Sequence, residues 1–184
     1  MPDLAAPPFG TLPSPTAALQ AAFESIRVGS MRDVPLLNPA LAVEALGFRP
    51  WQQHWLGVLV TPWLMNLVLL PRELAAWQPV RAGESRHHLF PAGVFEFIGA
   101  HDDRLGDYLA CSLFSPMFEF VDHAAARATA EAALAALFDP QTRERAAAPG
   151  RSLSDAAAAP KAPAEPISKR DFLFGQTTRG GGGP

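Results

Sequence analysis

The stretch HWLGVLVTPWLMNLVLLP, residues 54–71, decides the fold of this 184-residue chain. It is rich in valine and leucine, and Pro62 divides it near its middle. As a helix, the apolar part from Trp55 onward would reach only about 25 Å, short of the ~30 Å hydrocarbon layer of a membrane. We therefore predict two buried strands, at about 54–61 and 64–70, joined at the proline and covered on both faces.

The sequence on both sides of this stretch continues the strand pattern. On the N-terminal side, LAVEALGF (41–48) alternates well enough to form a short strand. On the C-terminal side, residues 85–120 predict two or three more strands. The turn between GVFEFI and DYLACSLF is expected at residues 99–106, where glycine and aspartate are frequent. These strands follow one another closely along the chain, which favours an antiparallel sheet.

Two helical patterns flank the strands. TAALQAAFESIRV begins at Thr16, which we predict as its N-cap, and its apolar residues form one stripe. Asp122 is the predicted N-cap of the second helix, DHAAARATAEAALAALF, which also has one apolar stripe. Helix, strands, helix is an α+β pattern. We expect an antiparallel sheet with the N- and C-terminal helices packed on one face.

The composition of the two ends sets the expected domain boundaries. Residues 1–15 contain five prolines and lack the basic start and apolar run of a secretory leader. In residues 139–184, proline, alanine and glycine fill 21 of 46 positions. The segment therefore has too few bulky apolar side chains to offset the entropy lost when the chain becomes ordered. We predict a disordered N-terminal segment (1–15), a folded domain (16–138) and a flexible C-terminal tail (139–184).

Charge and motif content exclude several function classes. The net charge is -3 and the pI about 5.9, which gives no basic field for nucleic acid. Cys111 is the only cysteine, so a disulfide or a cysteine-ligated zinc or iron-sulfur site within this chain is excluded. No nucleotide-binding or hydrolase motif occurs. His101 with Asp102 and Asp103 is the best polar cluster, and turn chemistry accounts for it. We predict no catalytic residue, no metal and no cofactor.

Large apolar residues instead gather beside prolines, as in Thr61-Pro62-Trp63 and in FSPMFEF (114–120). Prolines in sheets mark strand edges and ends, where neighbouring aromatic side chains can be exposed. Exposed apolar patches with a polar border bind proteins. Met117 and Phe118, at a strand end broken by proline, are the residues we most expect to face a partner.

Four linked sequence blocks stand out: VPLLNPAL (34–41), GFRPWQQHWLGVLVTPWLMNLVLLP (47–71), FPAGVFEFIGAHDD (90–103) and LACSLFSPMFEFVDHAAARATAEAAL (109–134). Together they resemble the HybE family of [NiFe]-hydrogenase assembly chaperones, whose members are also called HupJ and HoxT. The resemblance implies a non-catalytic cytoplasmic protein with a secretion-chaperone-like α+β fold. It also implies a role in hydrogenase maturation, with precursor subunits bound before twin-arginine export. The implied partner is the small-subunit precursor, and the large subunit is a second candidate.

Position and chemistry, not the resemblance, suggest which residues touch such a client: an apolar groove rimmed by acidic side chains. The apolar set is Trp63, Met65, Phe95, Phe97, Phe114, Met117 and Phe118. The acidic set is Glu96, Asp102, Asp103 and Glu119. Two other functions stay open: a metal or cofactor carrier that uses His101, Asp102 and Cys111, and a stable accessory subunit of the hydrogenase complex.

The C-terminal tail contains Ser168-Lys169-Arg170-Asp171-Phe172-Leu173, which resembles the twin-arginine export consensus with Lys169 in place of the first arginine. Export leaders are N-terminal and continue into an apolar segment, whereas glycines follow here. The motif should therefore not direct export. Two interpretations stay open: the segment is a solvated basic stretch of the tail, or it imitates the leader of a client and occupies the client site until a client displaces it.

Overall fold

The computed structural model describes residues 12–142 and contains six strands and two helices within them. In chain order, the elements are α1 (Thr16–Val28), β1 (Glu44–Trp51), β2 (His54–Val60), β3 (Met65–Pro71), β4 (Ser85–Phe90), β5 (Gly93–Asp102), β6 (Gly106–Phe114) and α2 (His123–Ala136). The strands form one sheet in the order β1-β2-β3-β6-β5-β4, with every neighbouring pair antiparallel. The predicted α+β class is confirmed.

The sheet consists of two three-stranded meanders joined between β3 and β6, where Leu67 pairs with Cys111. The two strands predicted within residues 54–71 are present, and a tight turn at 61–64 joins them. The first predicted strand starts later than expected, at Glu44. The expected turn at 99–106 is also shorter, because β5 continues to Asp102 and β6 begins at Gly106.

The two helices cover opposite faces of the sheet, so the prediction of both on one face is wrong. Alternate residues of a strand point to opposite faces. On β2, Val58 belongs to the core cluster that includes α2, whereas its neighbour Leu59 belongs to the cluster of α1. On β3, Leu67 and Val68 divide in the same way. Because the strands at the centre of the sheet are apolar on both sides, each face needs a helix to exclude water.

The sheet is so strongly curved that its two edge strands approach each other on the α2 side. The ring of Trp51 on β1 stacks on Phe90 of β4, with centroids 4.2 Å apart, and lies 5.7 Å from His88. His54 at the start of β2 is also 5.5 Å from His88. We call the contact of Trp51 and His54 with His88 and Phe90 the seam. The α2 side is therefore the inner, concave face and the α1 side the outer, convex face.

Helix α2 packs closely against β1, and a glycine makes this approach possible. Gly47 has a φ of +62° at a register shift in β1, and a β-carbon there would lie 2.5 Å from Leu134 Cδ2. At the far end of α2, the Arg49 guanidinium sits 4.0 Å from the ring centre of Phe138. Helix α2 thus packs along the inner face beside edge strand β1.

The two predicted helix caps have different outcomes. Asp122 does cap α2, since its carboxylate accepts a hydrogen bond of 2.7 Å from the Ala125 amide. Thr16 does not cap α1, because the N-cap position is Pro15 and the Thr16 hydroxyl bonds Ser14 instead. The predicted helix at this position is nevertheless present, because its apolar stripe is buried.

Contacts continue past both predicted domain boundaries. The Leu12 amide donates to the Arg72 carbonyl at 2.7 Å, and the Leu12 carbonyl accepts from Trp55 Nε1 at 3.1 Å. At the other end, Thr142 is buried. The outer parts of the predicted end segments, residues 1–11 and 143–184, lie outside the described residues. No described helix is long and apolar enough to cross a membrane.

Candidate protein-binding surface

Three connecting segments meet at one end of the sheet: residues 30–43 before β1, the 61–64 turn, and residues 115–122 between β6 and α2. The pairing of Met65 with Phe114 brings the last two segments together. The Asn38 amide donates to the Pro62 carbonyl at 2.8 Å and so ties the first segment to the turn. We call this region the loop end. It is where the sequence FSPMFEF leaves the sheet.

Asn38 holds the loop end together. Its side-chain nitrogen donates to the carbonyls of Met117 at 3.0 Å and Phe120 at 2.8 Å. Its side-chain oxygen accepts from the Ala40 amide at 3.0 Å. The side chain is only 7% exposed, so both amide protons and the carbonyl of a buried asparagine are satisfied. The result is a fixed conformation of residues 117–120.

The clamped loop displays apolar side chains to solvent. Met117 and Phe120, whose carbonyls Asn38 binds, point into the core, and Met117 is fully buried. Between and after them, Phe118 is 57% exposed and Val121 is 82% exposed. Leu36, two residues before Asn38, is 50% exposed. Several large exposed apolar side chains at one end of a fold are typical of a protein-binding surface.

A polar network fixes the other end of the same loop. His123, the first residue of α2, accepts the Ala42 amide at Nδ1 (3.3 Å), and its Nε2 lies 2.8 Å from a Glu44 carboxylate oxygen. The proton therefore resides on Nε2 and is donated to the carboxylate. Arg127 donates to the other oxygen of Glu44 at 2.7 Å. The loop of residues 117–122 is thus held by Asn38 on one side and by His123 on the other. This anchoring pre-organises its exposed side chains for binding.

Most of the predicted apolar contact residues lie in the core. The buried ones are Met65, Phe95, Phe97, Phe114 and Met117. Trp63 is half-buried and stacks on Phe23 of α1, with centroids 6.4 Å apart. Only Phe118 of the predicted set is largely exposed. The expectation that Met117 faces a partner is wrong, since Met117 anchors the loop while Phe118 is displayed.

The structure does not bring the predicted acidic residues into one rim. Glu119 is exposed next to Phe118 at the loop end. Asp102 and Asp103 lie at the β5–β6 turn, at the opposite end of β6. The nine residues of β6 separate the two ends by about 30 Å. Glu96 is exposed on the outer face, whereas its neighbours Phe95 and Phe97 are buried. A single apolar groove with a continuous acidic rim is therefore not formed.

The residues named for the alternative metal carrier do not form one site, because Cys111 lies apart from His101 and Asp102. His101 forms an exposed pair with Asp107 at 2.7 Å, and this hydrogen bond raises the pKa of the imidazole. Asp102 accepts from the amides of Arg104 and Leu105, so it stabilises the turn. Cys111 is buried in the inner core, several residues further along β6. Within residues 12–142, no three or more histidine, cysteine or acidic side chains are grouped to hold a metal ion.

The leader-like segment lies outside the described residues. Its members are Ser168, Lys169, Arg170, Phe172 and Leu173. The interpretation that the segment imitates a client leader therefore remains a prediction.

Sequence reasoning missed three residues at this surface: Asn38, Leu36 and Val121. Asn38 precedes a proline, which indicates a turn. Its hydrogen-bond partners are 79 and 82 residues away, so no local pattern could show them. For Val121, a position just before the helix cap, the signal was available, because an apolar residue there has no neighbouring element to cover it.

The clamped loop and its exposed apolar side chains are typical of an accessory protein that acts by binding another protein. Residues 14–175 match the family described as [NiFe]-hydrogenase assembly, chaperone, HybE. The chain belongs to this HybE family of hydrogenase assembly chaperones, which are non-catalytic. The resemblance inferred from the sequence blocks is thereby confirmed.

Similar proteins support the same assignment. The hydrogenase expression/formation protein HupJ of Bradyrhizobium diazoefficiens is 40% identical over 176 residues, which cover 92% of this chain and 96% of HupJ. HoxT of Cupriavidus necator is 38% identical, over 86% of this chain and 87% of HoxT. The solution structure of HybE from Escherichia coli matches with a TM-score of 0.54 and 27% identity, over 84% of this chain and 89% of that one.

Proposed function

We propose that this chaperone binds precursor subunits of a [NiFe]-hydrogenase through the loop end, in the cytoplasm and before twin-arginine export. The observation that carries the proposal is the display of Phe118 and Val121 on a loop that Asn38 clamps from beneath. A chaperone of this family must recognise another protein. Among the described residues, this surface combines exposed apolar side chains with a fixed backbone.

The chemistry of the loop end suits a client segment that is apolar and basic. Phe118 and Val121 offer apolar contact area, and Glu119 between them offers a carboxylate. An export leader with paired basic residues and an apolar segment has the complementary character. The small-subunit precursor is therefore the proposed client, and the large subunit is the second candidate.

The size of the surface favours reversible binding. A few exposed apolar side chains give a small contact, and small interfaces are typical of transient complexes. We expect a dissociation constant of about micromolar, which corresponds to ~8 kcal/mol. Such an affinity lets the client leave once maturation is complete. It argues against a stable accessory subunit, which would need a larger and more apolar interface.

The test is an affinity pull-down from cells that express the cognate hydrogenase, with the wild-type chain and a Phe118→Ser/Val121→Ser variant. Because both side chains are exposed, the free energy of unfolding of the variant should lie within about 0.5 kcal/mol of that of wild type. Loss of two central apolar contacts should reduce recovery of the precursor at least about tenfold. Leu74→Ser is the matched control, because Leu74 is 60% exposed on the loop after β3, away from the loop end.

Four outcomes would refine or refute the proposal. Equal recovery by the double variant and wild type would refute the loop end as the binding surface. Recovery of the precursor only when its leader is present would identify the leader as the recognised part, and recovery of both forms would place recognition on the folded body. Copurification of the mature, exported enzyme would instead favour an accessory subunit.

A further inference from the structure

Among residues 12–142, helix α1 covers only half of the outer face of the sheet. Helix α1 packs on β1, β2 and β3, and its cover ends at β6, where Phe23 meets the edge of the Tyr108 ring at 6.4 Å. Among the described residues, the α1 cluster includes no side chain from β4 or β5. Beyond Tyr108, neither of the two described helices lies over the outward-pointing side chains of these strands. We call this region the open outer face.

Two large apolar side chains are exposed on the open outer face, beside the exposed polar side chains of Ser85, His87 and Glu96. Leu89 on β4 is 67% exposed and pairs with Val94, and Ile98 on β5 is 50% exposed and pairs with Ala110 of β6. Directly paired residues point to the same side of a sheet. These four side chains therefore form two apolar pairs on the outer side of the sheet. An uncovered sheet face normally carries polar residues, so this one indicates an occupant.

One carboxylate lies between the two apolar pairs. Glu96 is exposed on β5, halfway between Val94 and Ile98, and its cross-strand partner is His87. Asp102, at the end of β5, points to the same side of the sheet as Glu96, because both are even-numbered residues of that strand. The guanidinium of Arg86 is on the other side, where it donates to the Gln78 carbonyl. The open outer face is thus complementary to a ligand that carries a positive charge between or beside bulky apolar groups.

Residues 168–174, with the sequence SKRDFLF, have this character. In an extended chain, Arg170, Phe172 and Phe174 would point to one side at intervals of about 6.8 Å. Glu96 and Ile98 repeat at the same interval along β5. The tail from residue 139 onward carries a net charge of +2, from seven basic and five acidic residues, and the rest of the chain carries -5. The charges are therefore complementary.

The chain can reach the open outer face from where the described residues end. The Leu137 carbonyl, at the end of α2, accepts from the Ala92 amide in the β4–β5 turn, so the chain leaves beside edge strand β4. Leu89, on that strand, already belongs to the open outer face. Between Thr142 and residue 168 lie 25 residues, which can span up to about 85 Å. The family match also continues through this segment to residue 175.

We propose that residues 168–174 dock on the open outer face, with Arg170 beside Glu96, the ring of Phe172 on the Ile98–Ala110 pair and the ring of Phe174 level with Ala100. The contact is within one chain and does not rest on the proposed function. The client of the loop end can therefore be wrong while this contact is right, and the reverse also holds.

The test uses the full chain and compares backbone amide NMR spectra. A Phe172→Ser/Phe174→Ser variant should shift the amide signals of β5 and β6 around Ile98, Ala100 and Ala110. Leu153→Ser is the matched control, since it removes an apolar side chain from the same tail outside the segment. It should leave those signals unchanged. Unchanged signals in the double variant would overturn the proposal, and so would shifts that depend on protein concentration, because they would indicate a second copy as the occupant.

A charge exchange tests the orientation. Glu96→Arg and Arg170→Glu should each produce the spectrum of the undocked chain, and the two together should restore the docked spectrum. A peptide of residues 165–178, added to the full chain, should bind the Phe172→Ser/Phe174→Ser variant about tenfold more tightly than wild type. The reason is that a tethered segment at a millimolar effective concentration competes with a peptide whose dissociation constant is about 100 µM. Equal affinities would contradict intramolecular docking.

Discussion

Replacing Asn38 with alanine should loosen the loop end and lower the stability of the whole domain. The substitution removes three hydrogen bonds: two donated to the Met117 and Phe120 carbonyls, and one accepted from the Ala40 amide. At about 1 kcal/mol each, their loss amounts to about 3 kcal/mol. The Met117 carbonyl keeps a bond from the Phe120 amide at 3.3 Å. The Phe120 carbonyl loses the Asn38 donor inside the protein, which adds to the cost.

The assay is urea denaturation, together with hydrogen exchange at residues 115–122. A loss of about 3 kcal/mol is a large fraction of the 5–15 kcal/mol that stabilises a typical domain. Asn66→Ala is the control, because the Asn66 side-chain oxygen is buried with no hydrogen-bond partner in the described structure. Its removal should cost less than about 1 kcal/mol. The clamp does not fix this surface if two results are found together: a free energy of unfolding of Asn38→Ala within about 1 kcal/mol of wild type, and amide hydrogens of the loop that exchange no faster.

Three other perturbations test the core, the seam and the tail. Met117→Ala should cost about 2–5 kcal/mol in denaturation, whereas Phe118→Ala should stay within about 0.5 kcal/mol; the opposite order would reverse the assignment of core and surface. Burial lowers the pKa of His88 to about 4 and also lowers that of His54. The stability that the neutral imidazoles contribute is therefore complete above pH 6.5 and lost as the pH falls toward 4, by on the order of 2 kcal/mol for His88 after solvent screening. Thermal melts across this range should show the loss, and His88→Phe should reduce it. Deleting residues 161–184 should leave the affinity for a twin-arginine leader peptide unchanged in calorimetry, because the tail is proposed to dock away from the loop end; stronger binding would instead place the tail at the client site.

The seam explains why the two histidines are sensitive to pH, and it also shows a limit of sequence reasoning. His54 Nδ1 and His88 Nε2 are buried without hydrogen-bond partners in the described structure, and their rings are surrounded by aromatic side chains. A proton on either ring would carry an uncompensated charge into that cluster. Contact between β1 and β4 depends on the curvature of the whole sheet, so nothing local to either histidine could predict the seam.

The strands could be predicted because their signal is local. An apolar run divided by a proline predicts two strands, whatever the fold of the rest of the chain. The same run also contained the information on helix placement, because strands that are apolar on both sides need cover on both sides. Leu59 and Val58 are equally apolar and point in opposite directions. The two helices could therefore have been assigned to separate faces from the sequence.

The loop end shows what residue type cannot decide. Met117 and Phe118 are adjacent and apolar, and a loop has no periodicity that would separate inward from outward positions. Asn38 decides the matter by binding the carbonyls on either side of Phe118 and so turning Met117 and Phe120 inward. Substitution at Asn38 should therefore weaken client binding as well as stability, even though Asn38 is buried. A client affinity in Asn38→Ala equal to that of wild type would show that the displayed side chains bind without the clamp.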